Sequence, residues 1–170
     1  GAIGYLRTGN TDLASLELDR LREAWKALNA RFAGKPPDAF DGNSLYGKTL
    51  VGVSARLVAA DMMLNSGRAG ASRQSLNAIR GDLYELRKAS GIVVLADCVR
   101  DANAAADAIM AYNTKDIDWS KPAIRFGIAS TASIYGNLLK RCDGIASATV
   151  RNSPEFRRLV DGANAGLDLI

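Results

Sequence analysis

Residues 72–90 read SRQSLNAIRGDLYELRKAS, a stretch in which apolar side chains recur at alternating intervals of three and four residues. An α-helix of 3.6 residues per turn places such side chains on one stripe. They are Leu76, Ile79, Leu83 and Leu86. Arg73, Arg80 and Arg87 fall in the opposite register. The stretch therefore predicts an amphipathic helix with one buried apolar face and one exposed basic edge.

Other segments of the chain show the same periodicity, bounded by helix start and stop signals. They span about 11–32, 44–65, 92–113, 122–147 and 154–170. Ser153-Pro154 is a clear start signal, because a capping serine precedes a proline at the first helical position. Alternating patterns typical of strands extend over no more than about four residues. We predict an all-α fold, an antiparallel bundle of about five to six helices built from repeated αα-hairpins.

Part of the chain repeats at an offset of 58 residues. Residues 6–9, LRTG, align with residues 64–67, LNSG, and in the helices that follow Arg22 falls on Arg80. Such self-similarity is typical of helical hairpins that stack on one another. The alignment predicts one domain over residues 1–170, with hairpin units at 1–33, 44–90 and 121–170. The first unit shows only the last turns of its first helix.

Cys98 and Cys142 each follow a leucine by three residues on the apolar stripe of a predicted helix. Three interpretations stay open. A disulfide would close a loop of about 45 residues, which loop entropy values at about 4 kcal/mol, and would imply an oxidising compartment such as a bacterial periplasm. Two buried thiols would suit a helical core. A soft-metal site would add Met62, Met63 or Met110.

Two aspartates are candidates for a ligand site. Asp61 and Asp97 are embedded in apolar sequence, which predicts carboxylates that pair with an arginine or line a polar pocket between helices. The arginines expected opposite them are Arg56, Arg125 and Arg141.

Two aromatic residues are the other candidates. Tyr112 and Trp119 flank a loop that contains Asp116 and Asp118. A loop of aromatic and acidic side chains at the end of a bundle either lines a ligand site or closes the bundle as an apolar plug. The plug is the commoner arrangement, and we favour it.

The composition excludes several chemistries. The chain has no histidine, so the commonest general base and the commonest metal ligand are missing. Asp97 and Asp101 share a helix face, the spacing of magnesium-binding pairs, but no second acidic element accompanies them, and a solvated or arginine-paired edge is favoured. We predict no catalytic residue, no metal and no cofactor.

Charge and hydropathy argue against nucleic acid as a partner and against a membrane span. The net charge is +4, from 22 basic and 18 acidic residues that are interspersed along the chain. This pattern does not form the concentrated basic patch that is typical of nucleic-acid binding. No apolar run reaches the length of about 18 residues that a membrane span needs.

The function we expect is a non-catalytic helical module that binds a ligand or partner and belongs to an exported bacterial protein. A sensor domain or a periplasmic accessory domain fits this description. The basic edge of residues 72–90 and the first hairpin are the expected partner surfaces. One alternative is a metal carrier or metal-dependent enzyme that uses the Cys/Met set or the pair Asp97 and Asp101. The other is a purely structural or oligomerising bundle, and the oligomeric state is left open.

Overall fold

The computed structural model describes residues 1–114 and 117–169, so Asp116 of the aromatic-and-acid loop lies outside the described residues. In this part of the chain there are helices and no strands, which confirms the all-α bundle. None of the described helices is long and apolar enough to cross a membrane.

Eight α-helices occur in the described ranges. In chain order they are α1 Ala2–Arg7, α2 Thr11–Phe32, α3 Leu45–Asn65, α4 Ala69–Ala89, α5 Leu95–Met110, α6 Pro122–Ile145, α7 Ala148–Arg151 and α8 Pro154–Leu167. The number exceeds the prediction because α1 and α7 have only six and four residues. Segments that short carry too few apolar positions to show a helical period.

Side-chain caps mark two helix starts where the sequence predicts them. The Asn10 side chain accepts a hydrogen bond from the Leu13 N–H at 3.1 Å. The Ser153 hydroxyl accepts one from the Phe156 N–H at 3.3 Å, and Pro154 opens α8. Each cap satisfies one of the backbone donors that a helix start leaves unpaired.

The chain divides into two compact units, Gly1–Ile92 and Val93–Ile170, which we call the N-terminal and C-terminal units. Within the N-terminal unit, α1–α2 and α3–α4 form two hairpins. Helix α1 also packs on α4, and α2 packs on α3. The single domain and the three repeat units stay predictions.

The two hairpins of the N-terminal unit use the same turn. Gly9 and Gly67 have φ angles of 78° and 76°, a left-handed conformation that glycine adopts without steric cost. The Asn10 N–H donates to the Tyr5 carbonyl at 2.9 Å, and 58 residues later the Arg68 N–H donates to the Met63 carbonyl at 2.8 Å. Both turns therefore end their helix with the same Schellman bond.

The buried positions of the two hairpins also match at the offset of 58 residues. From residue 2 to residue 18 they are Ala2, Leu6, Ala14 and Leu18. From residue 60 to residue 76 they are Ala60, Leu64, Ser72 and Leu76. All except Ser72 belong to one apolar cluster, so each hairpin covers the apolar stripe of the other.

The buried Ser72 hydroxyl finds no hydrogen-bond partner in the described part of the chain, whereas its counterpart is Ala14. Because an unsatisfied buried polar group costs about 1–3 kcal/mol, Ser72→Ala should raise the free energy of unfolding by about 1 kcal/mol. The reciprocal variant Ala14→Ser should lower it by a similar amount. Urea unfolding followed by circular dichroism measures both, and a destabilised Ser72→Ala variant would contradict the assignment.

The C-terminal unit contains the disulfide. Cys98 on α5 and Cys142 on α6 are bonded, with their Cα atoms 5.5 Å apart. Of the three interpretations of the cysteines, the structure therefore shows the disulfide. Helix α8 packs on α6, and α7 packs on α8.

The core of the C-terminal unit is small. Its buried cluster consists of the two half-cystines and Ala102, and the partly buried side chains around it are Leu95, Tyr135 and Leu138. A unit of roughly 80 residues with so few large buried side chains gains little from apolar burial, and a covalent link is the usual compensation.

Reducing the Cys98–Cys142 bond should destabilise the C-terminal unit and leave the N-terminal unit unchanged. Closing a loop across 44 residues is worth about 4 kcal/mol in the chain-entropy model. Each unit holds one tryptophan, Trp25 or Trp119. Urea unfolding followed by fluorescence in Trp119→Phe and Trp25→Phe variants, with and without reducing agent, reports the units separately. Equal shifts of both curves, or no shift, would count against this role.

Candidate functional site

Asp61 takes part in an ion pair between α2 and α3. Its carboxylate accepts from Arg22 Nη1 at 3.0 Å and from Asn65 Nδ2 at 3.3 Å. The expected partner Arg56 instead donates from Nε to Asp82 on α4 at 2.6 Å. The prediction that Arg56 pairs with Asp61 is therefore wrong. The arginine that pairs with Asp61 is Arg22 on α2, which lies 39 residues earlier in the sequence.

Asp97 lies in the first turn of α5, where a carboxylate favours the positive end of the helix dipole. Asp97 and Asp101 each have an interaction partner, as has Arg100 between them. Nowhere in residues 1–114 and 117–169 do three or more cysteine, aspartate or glutamate side chains come together as metal ligands. The metal-carrier hypothesis therefore stays a prediction, and no ligand cluster in the described residues supports it.

Tyr112 and Trp119 occupy different surroundings. Tyr112 is half-buried against α6, with its hydroxyl so close to Gly127 that a Cβ there would lie 2.5 Å from it. Trp119 is 47% exposed, and its carbonyl accepts from Arg125 Nη1 at 2.9 Å. Arg125 therefore holds residues 119–120 by their backbone, and within the described residues it forms no ion pair with an aspartate, contrary to the prediction. The arrangement fits the plug interpretation for Tyr112.

Asp118 is organised by the residues that follow it. Its Oδ1 accepts from the Ser120 hydroxyl at 2.6 Å and from the Ser120 N–H at 3.1 Å. These two hydrogen bonds stabilise the carboxylate and lower the pKa of Asp118, with a smaller contribution from Lys121. These contacts form a local turn over residues 118–121, immediately before α6, which begins at Pro122.

Ser120→Ala should raise the pKa of Asp118 toward its ordinary value, because the side-chain bond from Ser120 is the largest cause of the lowering. The sign follows from linkage. Because the pKa of Asp118 is lower in the folded chain than in the unfolded chain, the ionised carboxylate stabilises the fold at pH values above the unfolded-state pKa. This stabilisation is lost as the pH falls through the folded-state pKa. Titration of the Asp118 carboxyl resonance by NMR measures the shift. Ser147→Ala, which removes the cap of another helix, is the control and should leave that pKa unchanged.

A cleft between α1 and α4 gathers three arginines. Its volume is about 510 Å³. The lining consists of Gly1, Ile3, Gly4, Arg7, Arg73, Gln74, Asn77 and Arg80, with no acidic side chain. Within the described residues none of the three guanidinium groups forms an ion pair. The cleft therefore presents grouped positive charge and neutral amide donors to solvent.

A comparison across the 58-residue offset shows how this cleft differs from the equivalent surface between α2 and α3. Arg22, the counterpart of Arg80, pairs with Asp61 at 3.0 Å and with Asp19 at 3.4 Å. At the offset of 58 residues these two acids correspond to Ile3 and Asn77 of the cleft. Arg80 thus stands where an arginine is neutralised in the other hairpin, but the two residues equivalent to its acidic partners are uncharged.

Two further positions add positive charge to the same cleft. Arg7 stands where the other hairpin has Asn65. Arg73, on α4, stands where α2 of the first hairpin has Ser15. The cleft between α1 and α4 is therefore basic, while the equivalent surface between α2 and α3 neutralises its own charge.

The sequence predicts part of this site. The basic edge of α4 and the first hairpin are the expected partner surfaces, and the structure brings them together. The helical pattern does not predict Arg7, Gln74 or Asn77 as part of the site. A comparison of charges across the 58-residue offset is a sequence signal that points to them. No family model, curated protein or solved structure matches the chain.

Proposed function

We propose that the chain is a non-catalytic helical module that binds an anionic ligand in the cleft between α1 and α4. The observation that carries this proposal is the grouping of Arg7, Arg73 and Arg80 without an acidic partner in the described residues. Like charges held together repel, and an anion converts that repulsion into attraction. Guanidinium groups are suited to the task because their planar donors match carboxylate and phosphate oxygens in pairs.

The comparison of the two hairpins supports the same proposal. Between α2 and α3 the chain itself supplies the anions, Asp61 and Asp19, that neutralise Arg22. At the equivalent place between α1 and α4, Arg80 has Ile3 and Asn77 where Arg22 has the two acids. A ligand that brings negatively charged oxygens replaces the missing carboxylates.

The cleft also suggests the kind of ligand. Its volume of about 510 Å³ is within the usual range for small-molecule sites. Gln74 and Asn77 offer neutral donors beside the arginines, and Ile3 contributes an apolar wall. A small molecule that carries phosphate, sulfate or several carboxylates suits this combination.

The disulfide supports the part of the proposal that concerns the compartment. Disulfides persist in oxidising surroundings such as the bacterial periplasm and are rare in the cytosol. The Cys98–Cys142 bond is therefore in keeping with a module of an exported protein, such as a sensor or periplasmic accessory domain.

Titration with inorganic phosphate, pyrophosphate and citrate tests the proposal. NMR at low ionic strength should show saturable shifts for residues of the cleft, weakened by added salt. Arg80→Gln should weaken binding about tenfold or more, because a hydrogen bond to a charged group is worth about 1.5–3 kcal/mol. Asn77→Asp should act similarly, since it returns to Arg80 the acid that Asp19 provides to Arg22.

Arg22→Gln is the matched control, because it removes the equivalent arginine from the other hairpin and leaves the cleft intact. It should leave anion affinity unchanged. If Arg22→Gln and Arg80→Gln weaken binding equally, the ions respond to net charge and the cleft is not a site. Absence of saturation with all three anions also overturns the proposal.

A further inference from the structure

The arginines of the cleft between α1 and α4 lie at different levels along α4. Arg73 and Arg80 are two turns apart on the same face of the helix, a separation of about 10 Å between their Cα atoms. Both line the cleft, together with Arg7 of α1. The positive charge is therefore spread along the cleft and is not concentrated at one point.

The packing of α2 on α3 shows which residues of two adjacent helices lie at the same level. Arg22 pairs with Asp61 at 3.0 Å, and Asn29 donates to the Ser54 hydroxyl at 3.3 Å. Residue numbers thus rise along α2 as they fall along α3, which is an antiparallel register. The same register applies to α1 and α4, because the buried positions of the two hairpins match at the offset of 58 residues.

This register gives the cleft two positive ends. Arg80 lies level with Ile3, since these residues are equivalent to Arg22 and Asp61. Arg7 lies one turn further along α1, in the direction of Arg73. One end of the cleft therefore carries Arg80, and the other end carries Arg7 and Arg73.

Between these ends the cleft is open and polar. Gln74 and Asn77 line it, whereas the equivalent of Gln74 on α2 is Leu16. Gly4 stands where α3 has Met62, and a Cβ added at Gly4 would have no atom within 4 Å. The missing side chain leaves room in the cleft, and the two amides can donate to hydroxyl groups and accept from them.

The charge of the cleft indicates how many anionic groups a ligand needs. The three guanidinium groups carry three positive charges. Glu17 lies close to Gly1 of the α1 wall, but its carboxylate pairs with Arg20 at 3.1 Å. A phosphate monoester carries about two negative charges at neutral pH, and a carboxylate carries one. A ligand with one group of each kind matches the charge of the cleft.

We propose that the cleft binds an elongated small molecule that has a phosphate at one end, a carboxylate at the other and a hydroxylated chain of about six carbons between them. This inference rests on the proposed anion-binding function and adds to it the spacing of the two charges. Each anionic group meets guanidinium donors at its own end of the cleft. The hydroxyl groups of the chain meet Gln74 and Asn77.

Isothermal titration calorimetry with 6-phosphogluconate and sorbitol 6-phosphate tests the spacing. The two probes share a linear chain and a phosphate, and they differ only in a terminal carboxylate against a terminal alcohol. The wild-type chain should bind 6-phosphogluconate about fivefold more tightly or better, because only this probe has an anion for each end. 3-Phosphoglycerate has the same charge on a shorter chain and should bind more weakly by a similar factor.

Variants that remove one positive end should abolish the preference for 6-phosphogluconate over sorbitol 6-phosphate. They are Arg80→Gln and the double variant Arg7→Gln/Arg73→Gln, and in each the ratio of the two affinities should fall below about twofold. Arg22→Gln is the matched control and should leave the ratio unchanged, because it removes an arginine from the equivalent surface between α2 and α3.

Gly4→Met tests the open centre of the cleft. It introduces the side chain that Met62 provides on the equivalent surface, so it should weaken 6-phosphogluconate about fivefold while inorganic phosphate, which needs one end only, binds as before. Gly4→Ala is its matched control and should bind both probes normally, since a Cβ at this position meets open space.

The outcomes separate this proposal from the proposed function. If no anion saturates the cleft, the anion-binding function itself fails. If anions bind in the cleft but 6-phosphogluconate, sorbitol 6-phosphate and 3-phosphoglycerate bind equally, the anion site stands and the spacing proposed here is overturned. A preference for 6-phosphogluconate that survives the loss of either end, or that Arg22→Gln abolishes, overturns it as well.

Discussion

The packing of one hairpin on the other is the constraint on which the N-terminal unit depends. An amphipathic helix of 21 or 22 residues such as α2 or α4 presents an apolar stripe that a single antiparallel neighbour covers only in part. The two hairpins solve this by contributing equivalent buried positions to one cluster. The repeated glycine turn makes this possible, because it reverses the chain in the same geometry at Gly9 and Gly67.

Two hairpins with matching buried positions leave their exposed positions free to differ. Burial constrains Leu6 and Leu64 alike, whereas exposed positions at the same offset carry different charges. On one side of the unit Arg22 is neutralised by acids of the chain, and on the other Arg80 is not. The same fold thus contains one surface, between α2 and α3, that balances its own charge, and another, between α1 and α4, whose arginines have no acidic partner in the described residues.

The C-terminal unit is stabilised in a different way. Its apolar cluster is centred on the disulfide, and large side chains such as Phe126 and Leu159 remain exposed. Arg151 adds polar support, since it donates to the carbonyls of Asp143, Gly144 and Ala146 where α6 ends. These contacts satisfy acceptors that a helix end leaves unpaired. Covalent and polar links thus take over part of the role that apolar burial has in the N-terminal unit.

The sequence by itself determined the long helices, the caps of α2 and α8, the all-α class and the basic edge of α4, because all of these depend on residues within a few turns of one another. It also marked Cys98 and Cys142 as core positions. It did not determine that they bond, that Arg22 is the partner of Asp61, or that Arg7 joins Arg73 and Arg80.

Only the tertiary structure decided those pairings. Each joins residues separated by dozens of positions, and the choice depends on which apolar stripes cover each other. A helical period shows that a face is buried but not what buries it. The sequence predicts the basic edge as a feature of α4 alone. In the structure this edge forms one wall of a cleft, because α1 packs against α4.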